Sequence, residues 1–277
     1  MKENLEPPKS VKVLEQRLKS ATDSVEVWTQ RRRVMAAVIL GQMLPPAAIK
    51  GGTALKIRLG ERTTRFSQDL DVARQESLRN FLDQLTENLR NGWHGFTGTL
   101  VESRSKPNPI DVPTDYIMVP YDVKMQYLGN SWTTVVLEVG HDELGDTFDA
   151  HRTMSQEVEE LFGSVGLAVP TPVPVVATHH QIAQKLHACT AKNNSRAHDL
   201  VDLQLLAASE NLDVALIKNT CARLFDFRKS HPWPPTVTEN VGWNSLYKEA
   251  AEGVPVLQTV GEAVTWSNNF ILRIVNS

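Results

Sequence analysis

Cysteine is nearly absent from this chain of 277 residues: only Cys189 and Cys221 occur, at a spacing that makes neither a metal-ligand pair nor a disulfide framework. A reducing cytosol suits that composition. Long apolar runs are missing too. The longest mostly apolar stretch, Val34–Leu40, falls far short of the roughly 20 residues that span a bilayer, and the N-terminus lacks the apolar core of a signal peptide. A soluble, cytoplasmic protein with no membrane partner is expected. Internal repeats and long low-complexity tracts do not occur, and the net charge is only −3. With 41% apolar content the chain can bury a sizeable core, and its length suits one large or two modest domains.

The small net charge hides an uneven distribution. Residues 1–66 hold 13 Lys+Arg against 6 Asp+Glu, a balance of +7, which leaves −10 for the remainder. Arg31, Arg32 and Arg33, with Lys50, Lys56, Arg58, Arg62 and Arg65, are candidate contacts for RNA phosphates; the plainer reading is a solvated helix face.

Punctuation and periodicity set the organisation. Ser10 is placed to cap a helix to about Ser20, and Asp23 with Glu26 forms a capping-box pattern for a second helix to about Met43. Glu76–Asn91 reads as a helix burying Leu78, Phe81, Leu82, Leu85 and Leu89. From Phe96 to Val139 the chain is mainly extended, in runs at Gly95–Val101, Asp115–Val119, Tyr121–Tyr127 and Trp132–Val139, which predicts an antiparallel or mixed sheet. Pro170–Pro174, with three prolines in five residues, reads as a stiff connector, and beyond it the pattern is helical, including Leu212–Phe227 and Val256–Val275. The expected domains are residues 1–168 and 169–277.

The pattern with the most chemistry is Asp69-Leu70-Asp71. Residues i and i+2 of a strand share a face, so both carboxylates can be presented together while Leu70 and Val72 face the core. Two adjacent acids repel unless a cation lies between them, and hard oxygen ligands suit Mg2+. Alone, Asp-x-Asp is more often a solvated strand end. Upstream, however, Pro45-Pro46 ends a helix, Ala47–Lys50 reads as a short strand, and Gly51-Gly52 precedes a helical stretch from Thr53 to Leu59. A glycine pair at a helix start offers free backbone N–H groups to phosphate.

Gly51-Gly52-Thr53-Ala54-Leu55 followed by Arg65-Phe66-Ser67-Gln68-Asp69-Leu70-Asp71, with fifteen residues between Thr53 and Asp69, resembles the first motif of the AbiEii/AbiGii nucleotidyltransferase-like toxins, a branch of the DNA polymerase β superfamily. The gap is longer than in most of that superfamily. The resemblance implies a metal site at Asp69 and Asp71, nucleotide contacts at Gly51, Gly52, Thr53 and Ser67, and a third carboxylate on a later strand. Glu138, at the end of the β-prone run Thr133–Val139, is the best positional match, with His141, Asp142, Glu143 and, less well placed, Asp122 as competitors. A phosphate on Ser67 would add negative charge beside the acids and oppose nucleotide binding.

A second constellation runs from His179 to Ala188 and from Arg196 to Leu203. The first stretch reads as a helix with Ile182, Leu186 and Cys189 in the core and Lys185 on a flank from which it can reach a cleft. Asp199 and Asp202, three apart, share a helical face. Lys185-Leu186-x-Ala188 followed by Arg196-x-x-Asp199-x-x-Asp202 resembles the family's second signature, which implies Lys185 as a triphosphate contact and Asp199 or Asp202 as positioning groups. A zinc site at His179, His180 and His187 is disfavoured, since adjacent helical histidines diverge by about 100° and no cysteine completes a tetrahedral set.

The expectation is a two-lobed α/β (α+β) enzyme: a polymerase β-like nucleotidyltransferase lobe with a mixed sheet, a mainly helical C-terminal lobe, and an active site between them. The resemblance implies transfer of NMP from NTP to RNA with Mg2+ (or Mn2+) and release of pyrophosphate. The tRNA 3′ end is the implied acceptor, so that aminoacylation and translation are blocked, and a cognate antitoxin the implied partner. The alternatives are a transferase acting on a small molecule or protein hydroxyl, and a non-catalytic binding protein with a degenerate transferase fold.

Overall fold

Ser10 begins the ordered secondary structure: its hydroxyl accepts from the Val13 amide at the head of α1 (Val11–Ser20), whose Leu14 and Leu18 are buried one turn apart. The computed structural model describes residues 5–20, 22, 24–61, 63–103, 118–209 and 211–277. Two units divide the chain: Met1–Glu61 with Ser67–Val175, and Arg62–Phe66 with Val176–Ser277.

In the first unit, α2 (Val25–Gly41) is capped by Ser24, which accepts from the Val27 amide; Asp23, expected as the cap, lies outside the described residues. Pro45-Pro46 separates α2 from β1 (Ala47–Lys50), and α3 (Gly51–Leu59) follows without a loop. Then come β2 (Leu70–Arg74), α4 (Leu78–Asn91), β3 (Phe96–Glu102), β4 (Val119–Tyr127), β5 (Asn130–His141), β6 (His151–Thr153), α5 (Gln156–Ser164) and β7 (Val173–Val175). Helix α4 buries Phe81, Leu85 and Leu89 at four-residue spacing behind the Ser77 cap. The expected Asp115–Val119 strand falls mainly outside the described residues; what is described joins the next run as one strand, β4.

Among the described residues the strands form one mixed sheet in the order β3-β4-β5-β2-β1-β7-β6. The β1/β2 pair is antiparallel and β2/β5 parallel, with Ile49, Val72, Leu137 and Val139 buried in the core. The stretch expected as a connector contributes β7, which pairs with β1 and β6: Val173 and Val175 are buried, and Pro174 stands opposite Arg152. Alternating apolar residues override the chain-stiffening signal of the prolines at this point.

The second unit contains α6 (Thr178–Cys189), α7 (His198–Ser209), α8 (Val214–Arg228), α9 (Trp243–Ala251) and α10 (Val260–Val275). Asp213 caps α8, and Thr259 with Glu262 makes a reciprocal capping box on α10, which starts four residues later than its apolar spacing suggests. Helix α9, not anticipated from sequence, buries Trp243 and Tyr247; the Trp243 indole N–H donates to the Asn194 carbonyl, so this tryptophan is a core residue. No helix among the described residues is long and apolar enough to cross a membrane.

Candidate active site

Strand register assembles the first group. Across three neighbouring strands, Lys50 of β1 stands opposite Asp71 of β2, and Asp71 stands opposite Glu138 of β5. Directly opposed residues share a sheet face, so the three side chains form a row. Asp69 lies immediately before β2, where the Thr53 hydroxyl donates to its carbonyl at 2.8 Å and ties it to the first turn of α3. The Asp71 carboxyl rests against Gly51: a Cβ at that position would meet Asp71 Oδ2 at 2.0 Å, and Gly51 has φ +68°. Glycine is required there both for space and for backbone conformation.

The electrostatics agree with a crowded acid site. Burial, then the charges of Asp71 and Asp69, then a hydrogen bond with Asp71 push the Glu138 carboxyl up to about 7, against the opposing pull of Lys50. Burial also raises Asp69, offset in part by the Arg33 guanidinium. Crowding of this kind favours a proton or a cation among the acids, and their hard oxygen donors fit a divalent ion of the Mg2+ or Mn2+ type. Of the competitors for third carboxylate, Asp142 is turned into its own loop, accepting from the Gly145 and Thr147 amides and the Thr147 hydroxyl. Asp146 is fully buried and pushed up to about 7, chiefly by burial. Asp122 stands opposite Val136, one strand further out.

Beside Asp69 lies a cavity of about 110 Å3 lined by Arg33, Thr53, Lys56, Ser67, Gln68 and Thr134, among others. Ser67 and Asp69 both line this cavity. Gly52 and Thr53 are buried in the first turn of α3.

The second group belongs to the helical unit. Lys185 on α6 is buried rather than extended from a flank, and its ammonium pairs with Asp199 at 3.0 Å and Asp202 at 2.6 Å, both on α7. Arg65 binds Asp202 bidentately, Nε and Nη2 each at 2.8 Å, and Arg196 Nε reaches Asp199 at 2.7 Å. Burial alone would raise both acids; Lys185, with Arg65 on Asp202 and Arg196 on Asp199, overrides it and holds both below the ordinary carboxylate range. His198, 3.7 Å from Asp199, is pushed down to about 4, first by burial, and is neutral at physiological pH. Two fully buried carboxylates facing three cations explain why Lys185 turns inward: a charge removed from water needs an opposite charge.

The expected RNA contacts are dispersed. Arg31 lies 3.7 Å from Glu61, Arg32 stacks 4.4 Å from the Trp28 ring centre, Arg33 and Lys56 line the cavity, Arg65 holds Asp202, and Arg62 lies outside the described residues. Reading along the chain missed the place of Lys50 and the pairing of Arg65 with Asp202. Arg196, three residues before Asp199, carried the one local signal for its pairing.

Two solved structures resemble this chain at low identity. JHP933 from Helicobacter pylori is 18% identical, with 91% of this chain and 93% of that one covered and a TM-score of 0.47. MenT4, a nucleotidyltransferase toxin from Mycobacterium tuberculosis, is 15% identical, with 96% and 97% covered and a TM-score of 0.48. None of the curated proteins compared matches the chain. The family described as nucleotidyl transferase AbiEii toxin, type IV toxin–antitoxin system, matches residues 33–257, a span that includes Asp69, Asp71, Glu138, Lys185, Asp199 and Asp202. The chain belongs to the AbiEii family of nucleotidyltransferase toxins.

Proposed function

We propose that this nucleotidyltransferase moves a nucleoside monophosphate from an NTP to an RNA 3′ hydroxyl, with the tRNA 3′ end as acceptor, so that aminoacylation is blocked and translation stops. The observation that carries the chemistry is the row Lys50–Asp71–Glu138, with Asp69 one position before β2. In this reading Asp69, Asp71 and Glu138 hold Mg2+, or Mn2+ in its place. A bound divalent ion supplies charge neutralisation for the triphosphate and activation of the attacking hydroxyl. Gly51 leaves room for the Asp71 carboxyl, Thr53 fixes the backbone of Asp69, and Ser67 lies beside the nucleotide. The acceptor O–Pα bond forms as the Pα–O bond to pyrophosphate breaks, and the hydroxyl proton passes to a carboxylate of the site.

Lys185, Asp199 and Asp202 remain in the proposal as the second group on which the reaction depends, because the family match spans them. The acceptor is supported by the basic balance of residues 1–66, not by an assembled surface. A type IV toxin–antitoxin family implies an antitoxin partner, and in this reading the toxin acts in the cytoplasm.

The test is purified protein with Mg2+, each α-labelled NTP in turn and a tRNA pool, run with and without periodate oxidation of the RNA. Label on intact RNA that disappears after oxidation of the 3′ diol supports the acceptor. Label on a small molecule or on protein in a cell extract, with RNA unlabelled, supports the other transferase reading instead.

A further inference from the structure

The sheet places a cation where a metal site needs room. Lys50 is half-buried at the end of β1, directly opposite Asp71, and its side chain crosses toward β5: a Cβ at Gly140 would lie 3.1 Å from Lys50 Nζ. Gly140 is two residues beyond Glu138 on the same strand and face, so the ammonium lies beside both the Asp71–Glu138 pair and the residue that follows it. Its field is felt by Glu138, Asp146 and His141 alike. Among the described residues Lys50 makes no ion pair or hydrogen bond through that ammonium. A lysine that stands opposite Asp71 and whose charge is felt by Glu138 and Asp146 has donors left for a ligand.

We propose that Lys50 couples metal binding to nucleotide binding: its ammonium opposes a bare divalent cation at Asp71 and Glu138, and takes a phosphate oxygen of the incoming metal–triphosphate complex. The inference rests on the metal-site reading above. A single positive charge beside the acids disfavours a second cation by simple Coulomb repulsion, and a triphosphate, strongly negative, reverses the sign of that effect. Lysine suits the role because it offers a point charge and three donors on a flexible stem, able to follow the ligand. The site then binds free metal weakly and fills more readily with metal and triphosphate together.

Calorimetry with two base-independent probes tests this on the full-length protein: Mn2+ alone, and a preformed complex of Mn2+ with inorganic tripolyphosphate. For Lys50→Met the expected changes have opposite signs, about tenfold tighter for Mn2+ alone and about tenfold weaker for the complex. Lys50→Arg keeps the wild-type pattern, and Lys50→Gln, which retains a polar chain, must show the same reversal as methionine. Both affinities moving in one direction, or neither moving, in folded variants overturns the role of Lys50. Asp71→Asn is the control for the underlying reading: it loses both ligands if Asp71 binds metal. Wild-type binding of both by Asp71→Asn means that the metal-site reading itself has failed, whereas its loss with an unresponsive Lys50→Met overturns the coupling alone.

Discussion

Asp71 and Glu138 stand directly opposite each other on parallel strands β2 and β5, and after burial it is the Asp71 charge that does most to push the Glu138 carboxyl up to about 7. A carboxyl raised that far keeps its proton to about neutral pH, and a cation bound between the acids would displace it and relieve their repulsion. Binding of Mn2+ is therefore expected to release protons near pH 7 and to weaken as pH falls below about 7. Proton release measured in buffers of different ionisation enthalpy checks this; metal uptake independent of pH between 6 and 8 contradicts it.

Without metal, the same shift predicts a stability that falls with pH. Glu138 has a folded value of about 7 against an ordinary 4.5, so the folded state holds more protons between the two. The stabilisation is complete below 4.5 and is lost as pH rises through about 7. Glu138→Gln removes that loss, and thermal melts are expected to show it about 3 °C more stable than wild type at pH 8 and no more stable at pH 5.

Gly51→Ala places a methyl group against the Asp71 carboxyl in a left-handed backbone position. Local strain of about 1–2 kcal/mol is expected, together with displacement of the Asp71 carboxyl. Activity should drop on the order of a hundredfold while the melting temperature changes by only a few degrees.

Lys185 needs a different reading. Its removal leaves Asp199 and Asp202 buried with one cation fewer, and Lys185→Met is expected to destabilise the helical unit by about 3–5 kcal/mol. Combining it with Asp202→Asn should restore part of that stability, measured by urea unfolding. If activity does not return with stability, Lys185 acts on the reaction as well as on the fold.

Much of the site was legible because its spacing is local. Asp69-x-Asp71 after a glycine pair, and Asp199-x-x-Asp202 after Lys185, are patterns of one strand and one helix, and both groups assembled around those residues. The partners from distant segments were not legible. That Lys50 faces Asp71, and that Arg65 crosses 137 residues to reach Asp202, depends on register and tertiary placement, which apolar periodicity does not encode. The surroundings of the basic N-terminal stretch were not legible for the same reason: a string of Arg and Lys does not show that Arg31, Arg32 and Arg65 lie against Glu61, Trp28 and Asp202. Helix α9 escaped notice because it is only nine residues long, with Trp243, Tyr247 and Ala251 its three buried positions and no side-chain cap at its start.

Metal-dependent nucleotidyl transfer is expected to require Asp71. The most direct measurement is transfer of label from α-labelled NTP to tRNA by wild-type protein and by Asp71→Asn, both verified as folded, with and without Mg2+. A labelled tRNA band is expected only for wild type with Mg2+. A band of equal intensity from Asp71→Asn would contradict it.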